Sequence, residues 1–241
     1  MMNLTETVLY SCGISLFTSF GIQKVEAKRP NILFIMTDQQ RYDMLSCAGN
    51  RYVHTPSLDQ LAENGVRFER NYCANPVSMP SRFAMITGRF AGEIGYTNNS
   101  TKPDTLRVLP VARESSVGNL FRNAGYETIY SGYPGFYCGR TDITDYGFIQ
   151  NGMDFYDGPS NFAESFFAGY KPEEDKPFFL YLSFMNPHDI CYGAGFDPRF
   201  PDKLRPHQIA ATQKYINFRK TLSEEEYRNQ IPPVPANMEP N

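Results

Sequence analysis

No long basic stripe runs through this sequence, and 23 Lys and Arg set against 26 Asp and Glu leave a formal net charge of −3. A nucleic-acid surface needs clustered cations to displace counterions, so that class of partner is excluded. Cysteine is sparse. Of the five, Cys12 lies near the N-terminus, while Cys47, Cys73, Cys138 and Cys191 match neither the spacing of a zinc site nor a dense disulfide framework, and read as scattered thiols. Histidine occurs only three times, and no internal repeat is present, which excludes solenoids and propellers. One long run of apolar and small residues stands out, from Val8 to Ile22. It is followed by Lys24 and by Val25-Glu26-Ala27, a small-x-small cleavage pattern, so residues 1–27 read as an export signal although the stretch before the run lacks Lys or Arg. An N-terminal membrane anchor is the alternative. Either way the expected location is periplasmic or secreted.

What is present is ample apolar and aromatic material, enough in 241 residues for one large domain or two small ones. Ile32 to Met36 is an unbroken apolar run that stops at Thr37-Asp38-Gln39, the pattern of a fully buried strand ending in polar residues. Thr55 as a cap, Pro56 at the first helical position, Leu58, Leu61 and Ala62 on one face and Gly65 as the stop predict a helix. Val66, Phe68 and Tyr72 suggest a second strand, Ser116 to Asn123 a helix, and "YETIYSGY" a third strand. "KPFFLYLSFMNPHDI" repeats the opening theme, an apolar run from Phe178 to Phe184 followed by Asn186, His188 and Asp189. A helix is expected near His207 to Lys220, followed by the proline-rich "IPPVPANMEPN". Strands alternating with helices predict an α/β fold with a mostly parallel central sheet covered on both faces. Ligands gather at the carboxyl ends of such strands, where Asp38, Gln39 and His188 lie.

The stretch "NPVSMPSRFAMITGRF" carries the sharpest chemistry. Pro80 suits a first helical turn, which puts Ser78 and Met79 at or just before a helix N-terminus, where unpaired N–H groups favour negative charge. Arg82 follows one turn on. Taken alone, Ser78 could simply cap this helix and Arg82 make an ordinary ion pair.

The full string, S-x-P-S-R-x-x-x-[ILM]-T-G-R, resembles the signature of the sulfatase family in its serine-type form. "RPNILFIMTDQQ", "HTPSLDQLAENGVRF" and "PFFLYLSFMNPHDI" resemble that family too, in family order. The resemblance runs from about Lys28 to the end and matches the N-terminal part of the family's catalytic domain, within the alkaline-phosphatase-like superfamily. It implies a sulfuric ester hydrolase in which a maturase oxidises Ser78 to formylglycine. It implies a divalent metal, calcium in most relatives, bound by Asp38, Gln39 and residue 78. It also implies that Arg82 stabilises the reacting oxygen and that His188 contacts the sulfate or leaving group. Asp189 would either partner His188 or open the next turn. Thr87 and Arg89 would fix the loop by hydrogen bonds and ion pairing, and His54 and His207 have no implied role. The implied partners are the maturase and a sulfated small molecule or glycan; oligomeric state is not readable.

Two departures from the family qualify this expectation. Gly132-Tyr133-Pro134-Gly135-Phe136-Tyr137 stands where active members commonly carry a Lys and a His, and Lys171 and Lys176 lie too far along to replace them. The family's second pair of metal ligands has no counterpart within the 241 residues, so a truncated domain, incomplete at its C-terminal side, with weak metal affinity is expected. The domain reading is therefore 28–241 as a partial catalytic domain, its end (201–241) polar and proline-rich. The alternatives are a truncated or degenerate homologue that does not turn over, or a phosphate or phosphonate ester hydrolase of the same superfamily, for which three histidines are too few to bind paired zinc.

Overall fold

The computed structural model describes residues 29–99, 110–133, 143–151, 157–172, 176–188, 209, 213, 216–218 and 220–230. Residues 1–27, read as an export signal, and Cys138, Asp189, Cys191, His207 and the proline-rich end lie outside the described residues. The chain divides into two compact units, Met1–Pro30 and Asn31–Asn241; the fold described here is that of the second.

Among the described residues, four parallel strands form one sheet in the order β1-β4-β2-β3: β1 is Ile32–Asp38, β2 Glu127–Gly132, β3 Ile149–Asn151 and β4 Phe178–Pro187. The helices, in chain order, are α1 (Pro56–Asn64), α2 (Ser78–Thr87), α3 (Pro110–Glu114), α4 (Val117–Asn123), α5 (Gly158–Gly169) and α6 (Glu224–Gln230). Strand side chains alternate between faces, and β4 uses both. Phe179 and Tyr181 join Phe83, Ile86, Tyr130, Tyr146 and Phe148 in a core that packs against α2 and α4. Phe178, Leu180 and Leu182 face the other way and pack with Ile129 against Phe162 and Phe166 of α5. The central strands β2 and β4 are thus covered on both faces, as the alternation of strands and helices predicts.

Three details correct the sequence reading. β1 is not fully buried: it stands at the edge of the sheet, paired only with β4 among the described residues, and Leu33, Phe34 and Ile35 are 43%, 37% and 47% exposed. An apolar run reports hydrophobicity, whereas burial also needs a neighbour on each side. Residues 66–74 form no strand; Val66, Phe68 and Tyr72 are 80%, 72% and 86% exposed. Alternation without a pairing partner leaves the backbone groups to water. The three-residue β3, missed by the sequence reading, is too short to show a period. The helices read from Thr55 and Ser116 do form, and the described positions between 209 and 220 are helical.

Glycine sets two close approaches. Gly132 ends β2 at φ 101°, and a Cβ there would lie 2.1 Å from the Ser183 carbonyl oxygen. That room lets the Tyr133 N–H donate to the same carbonyl at 2.8 Å. Gly118 in α4 lets the helix meet Tyr146 and Phe148, where a Cβ would come within 2.3 Å of a backbone oxygen.

Candidate active site

The carboxyl ends of β1 and β4 and the N-terminus of α2 converge on one cleft of about 730 Å³. Asp38, Gln39, Ser78, Arg82 and His188 all line it, so the five residues singled out in the sequence, spread over 150 positions, share one cavity. At the end of β1 the register with β4 shifts between Met36 and Asp38; such bulges re-aim side chains near functional sites. Gln39 follows in the left-handed region at φ 62°.

Ser78 opens α2, and Gly88, left-handed at φ 67°, closes it with its N–H on the Ala84 carbonyl. The Ser78 hydroxyl donates to Asp38 Oδ2 at 3.2 Å. One turn along, where residues four apart meet on a helix face, Arg82 Nε donates to Ser78 Oγ at 3.4 Å. Arg82 Nη2 donates to the same Asp38 oxygen at 2.9 Å, in an ion pair whose side chains are only 4% and 10% exposed. Asp38 Oδ2 therefore receives a hydroxyl and a guanidinium together. A buried charge pair of this kind is stable only when its remaining hydrogen-bonding capacity is met. Ser183 and Tyr133 meet it: Arg82 Nη1 donates to Ser183 Oγ at 2.8 Å and to the Tyr133 carbonyl at 3.3 Å. The Tyr133 ring lies 4.8 Å from the guanidinium carbon, within cation–π range.

Behind this cluster, Tyr130 donates its hydroxyl to the Tyr133 carbonyl at 2.7 Å. Burial pushes its pKa up to about 12, partly opposed by the Arg82 charge. Burial raises the Tyr181 hydroxyl further, helped by the neighbouring Tyr130. Asn99 accepts from the Met79 N–H at 3.1 Å, satisfying one of the donors left open at the start of α2. His188 is half-buried in the cleft, its backbone N–H on the Met185 carbonyl at 3.0 Å. Thr87 holds the helix end by donating to the Phe83 carbonyl at 2.7 Å. Among the described residues Arg89 makes no ion pair, and its buried Nε has no partner there.

Ser183, Tyr133 and Asn99 are the members of this cluster that the sequence reading missed. Ser183 left a trace as the single polar residue inside an apolar run. Tyr133 acts largely through its backbone carbonyl, which no side-chain pattern can reveal.

As a cation site the donor set is thin. Among the described residues no three His, Cys, Asp or Glu side chains gather. Asp38 brings one carboxylate, already engaged by Arg82, and Gln39 and Ser78 bring neutral oxygens. Calcium takes six to eight oxygens, several of them charged, so these residues by themselves do not fit a tightly held divalent ion.

A family model described as Sulfatase matches residues 30–225. An N-acetylglucosamine-6-O-sulfatase of Bacteroides thetaiotaomicron is 35% identical over 130 residues, an alignment that covers 54% of this chain and 22% of that protein. Among solved structures, a 2-O GAG sulfatase superposes with a TM-score of 0.57 at 24% identity, over 70% of this chain and 38% of that one, a likeness of fold alone. A protein solved with its substrate, D-glucosamine-2-N,6-O-disulfate, superposes with a TM-score of 0.52 at 26% identity, over 74% of this chain and 39% of that one. This chain spans well under half the length of each.

Proposed function

The chain belongs to the sulfatase family, and from that premise we propose that it serves in hydrolysing a sulfate monoester, with position 78 as the reacting centre. The observation that carries this reading is the Ser78 side chain, at the mouth of α2 and within hydrogen-bond distance of both Asp38 and Arg82. A plain serine hydroxyl is a weak nucleophile. Its oxidised form, formylglycine, supplies as its hydrate two hydroxyls on one carbon, one to take the sulfuryl group and one to expel it.

The chain's own residues then have definite tasks. Asp38 Oδ2 accepts the hydroxyl proton at residue 78 and orients that oxygen toward the cleft. Arg82 keeps a positive charge beside the same oxygen as it becomes negative, in a water-poor setting. A unit charge pair at 4 Å with partial shielding is worth about 4 kcal/mol, close to a thousandfold in rate. The N-terminus of α2 adds favourable dipoles for an anion. His188 lies where it can donate to the departing oxygen. Calcium would be bound, weakly, by Asp38, Gln39 and residue 78, and would polarise sulfate oxygens. We read residues 1–27 as an export signal and 28–241 as part of a catalytic domain, which places the reaction in the periplasm or outside the cell. The relatives named above make a sulfated amino sugar the first substrate to try.

The test is coexpression with a serine-type maturase, followed by mass spectrometry of the peptide containing Ser78 and assays with an aryl sulfate and a 6-O-sulfated glucosamine. A peptide lighter by two hydrogens, with turnover abolished in Ser78→Ala, is the expected result. Persistent unmodified serine with no turnover would sink the proposal. The thin donor set favours a second reading, a protein that binds the sulfated sugar without cleaving it; matured protein showing binding but no turnover would select it.

A further inference from the structure

A guanidinium presents five N–H donors in one rigid plane. In Arg82, four of the five are committed: Nε to Ser78, one Nη2 hydrogen to Asp38, and both Nη1 hydrogens to Ser183 Oγ and the Tyr133 carbonyl. The Tyr133 ring covers one face, and the residue is 3% exposed. Little of this side chain remains for a substrate. Its plane is set by β4 and the end of β2 on one side, while Nε and Nη2 meet Ser78 and Asp38, which line the cleft.

Ser183 is the joint between the two supports. It is fully buried in β4, at the register position paired with both Met36 of β1 and Gly132 of β2. Its carbonyl holds the Tyr133 N–H at 2.8 Å, and its hydroxyl takes the shortest of the Arg82 bonds. Without that hydroxyl, Nη1 keeps only the 3.3 Å contact with Tyr133, and the plane can turn about its stem.

We propose that Ser183 is the positioning residue that aims Arg82, fixing the guanidinium plane so that Nη2 meets Asp38 and Nε meets the reacting oxygen at position 78. This rests on the reading of residue 78 as the reacting centre, but the aim of Arg82 can be measured without any reaction. Arg82 then acts mainly on the enzyme's own oxygen, with four of its five N–H groups already engaged by protein atoms.

The test uses the full chain, unmodified and matured, as wild type, Ser183→Ala and Ser183→Thr, with folding checked by thermal unfolding. In protein labelled with nitrogen-15 arginine, a clamped Arg82 gives separate, slowly exchanging guanidinium proton resonances. Ser183→Ala should merge them, and Ser183→Thr should keep them apart. In the matured enzyme Ser183→Ala should lower kcat roughly ten- to a hundredfold with KM within about twofold, and Ser183→Thr should recover most of it, as expected for a misplaced catalytic group. A folded Ser183→Ala protein with Arg82 resonances like wild type would overturn the proposal, as would averaged resonances in the wild type itself. Failure of the wild type to mature or turn over would instead remove the functional reading, leaving the resonances to decide the clamp alone.

Discussion

Gln39 holds its backbone at φ 62° immediately after Asp38, a conformation that Asn, Asp and Gly adopt with less strain than Gln. Gln39→Asp should keep this backbone while adding a second carboxylate at the cleft. Calorimetry should find calcium bound no tighter than about millimolar by the native chain and roughly tenfold tighter by Gln39→Asp; tight binding by the native chain would mean ligands beyond those described. Tyr130 offers a second test. Its hydroxyl ionises near 10.0 when unfolded and near 12 in the fold, so the native state holds the proton more tightly. The stability this contributes is complete below about pH 10 and is lost as pH rises toward 12. Alkaline titration followed by tyrosinate absorbance should therefore show cooperative unfolding in that window, and Tyr130→Phe should blunt it. In the sequence, Asp38, Gln39 and His188 could be singled out because each follows an apolar strand run at the point where polarity breaks it, whereas Ser78 and Arg82 stood out only through the resemblance of their whole string to a family signature. Ser183 and the Tyr133 carbonyl were not legible, because their partner is a guanidinium 101 and 51 residues distant.

Elements place these residues by close contact as much as by periodicity. β2 and β4 approach so tightly at Gly132 that a methyl group would meet the Ser183 carbonyl, at a φ that L-residues avoid. Gly132→Ala should lower stability by about 2–4 kcal/mol, read as a fall in the urea midpoint. It should also shift Tyr133 away from Arg82; an unchanged midpoint would show that the strand end can yield. The central strand was legible because Phe178 to Phe184 supplies apolar side chains to both faces, where they meet α5 on one side and α2 with α4 on the other. β1 carries much the same composition, and its burial was misread because strand order is a property of pairing rather than of any single segment. Residues 66–74 show the converse error, a strand-like alternation with no neighbour to complete it.

At the scale of the whole sheet, the described strands end on one side at β1, which shows Leu33 and Ile35 on one face and Phe34, its ring tilted against that of Tyr181, on the other. Exposed apolar edges promote association between chains, and lysine on an edge opposes it. Ile35→Lys should reduce concentration-dependent light scattering while changing unfolding free energy by less than about 0.5 kcal/mol, as a surface substitution does; scattering that persists would point to another surface. The strand order has a further outcome, felt during synthesis. Among the described strands β1 leaves the ribosome first, yet its neighbour β4 is made last, after more than a hundred intervening residues. At roughly 5–20 residues per second, translation leaves β1 without its neighbour for several seconds or more. The earliest strand is thus the one kept waiting, and the Arg82 that pairs with Asp38 gains its Ser183 support only after that later polypeptide has emerged.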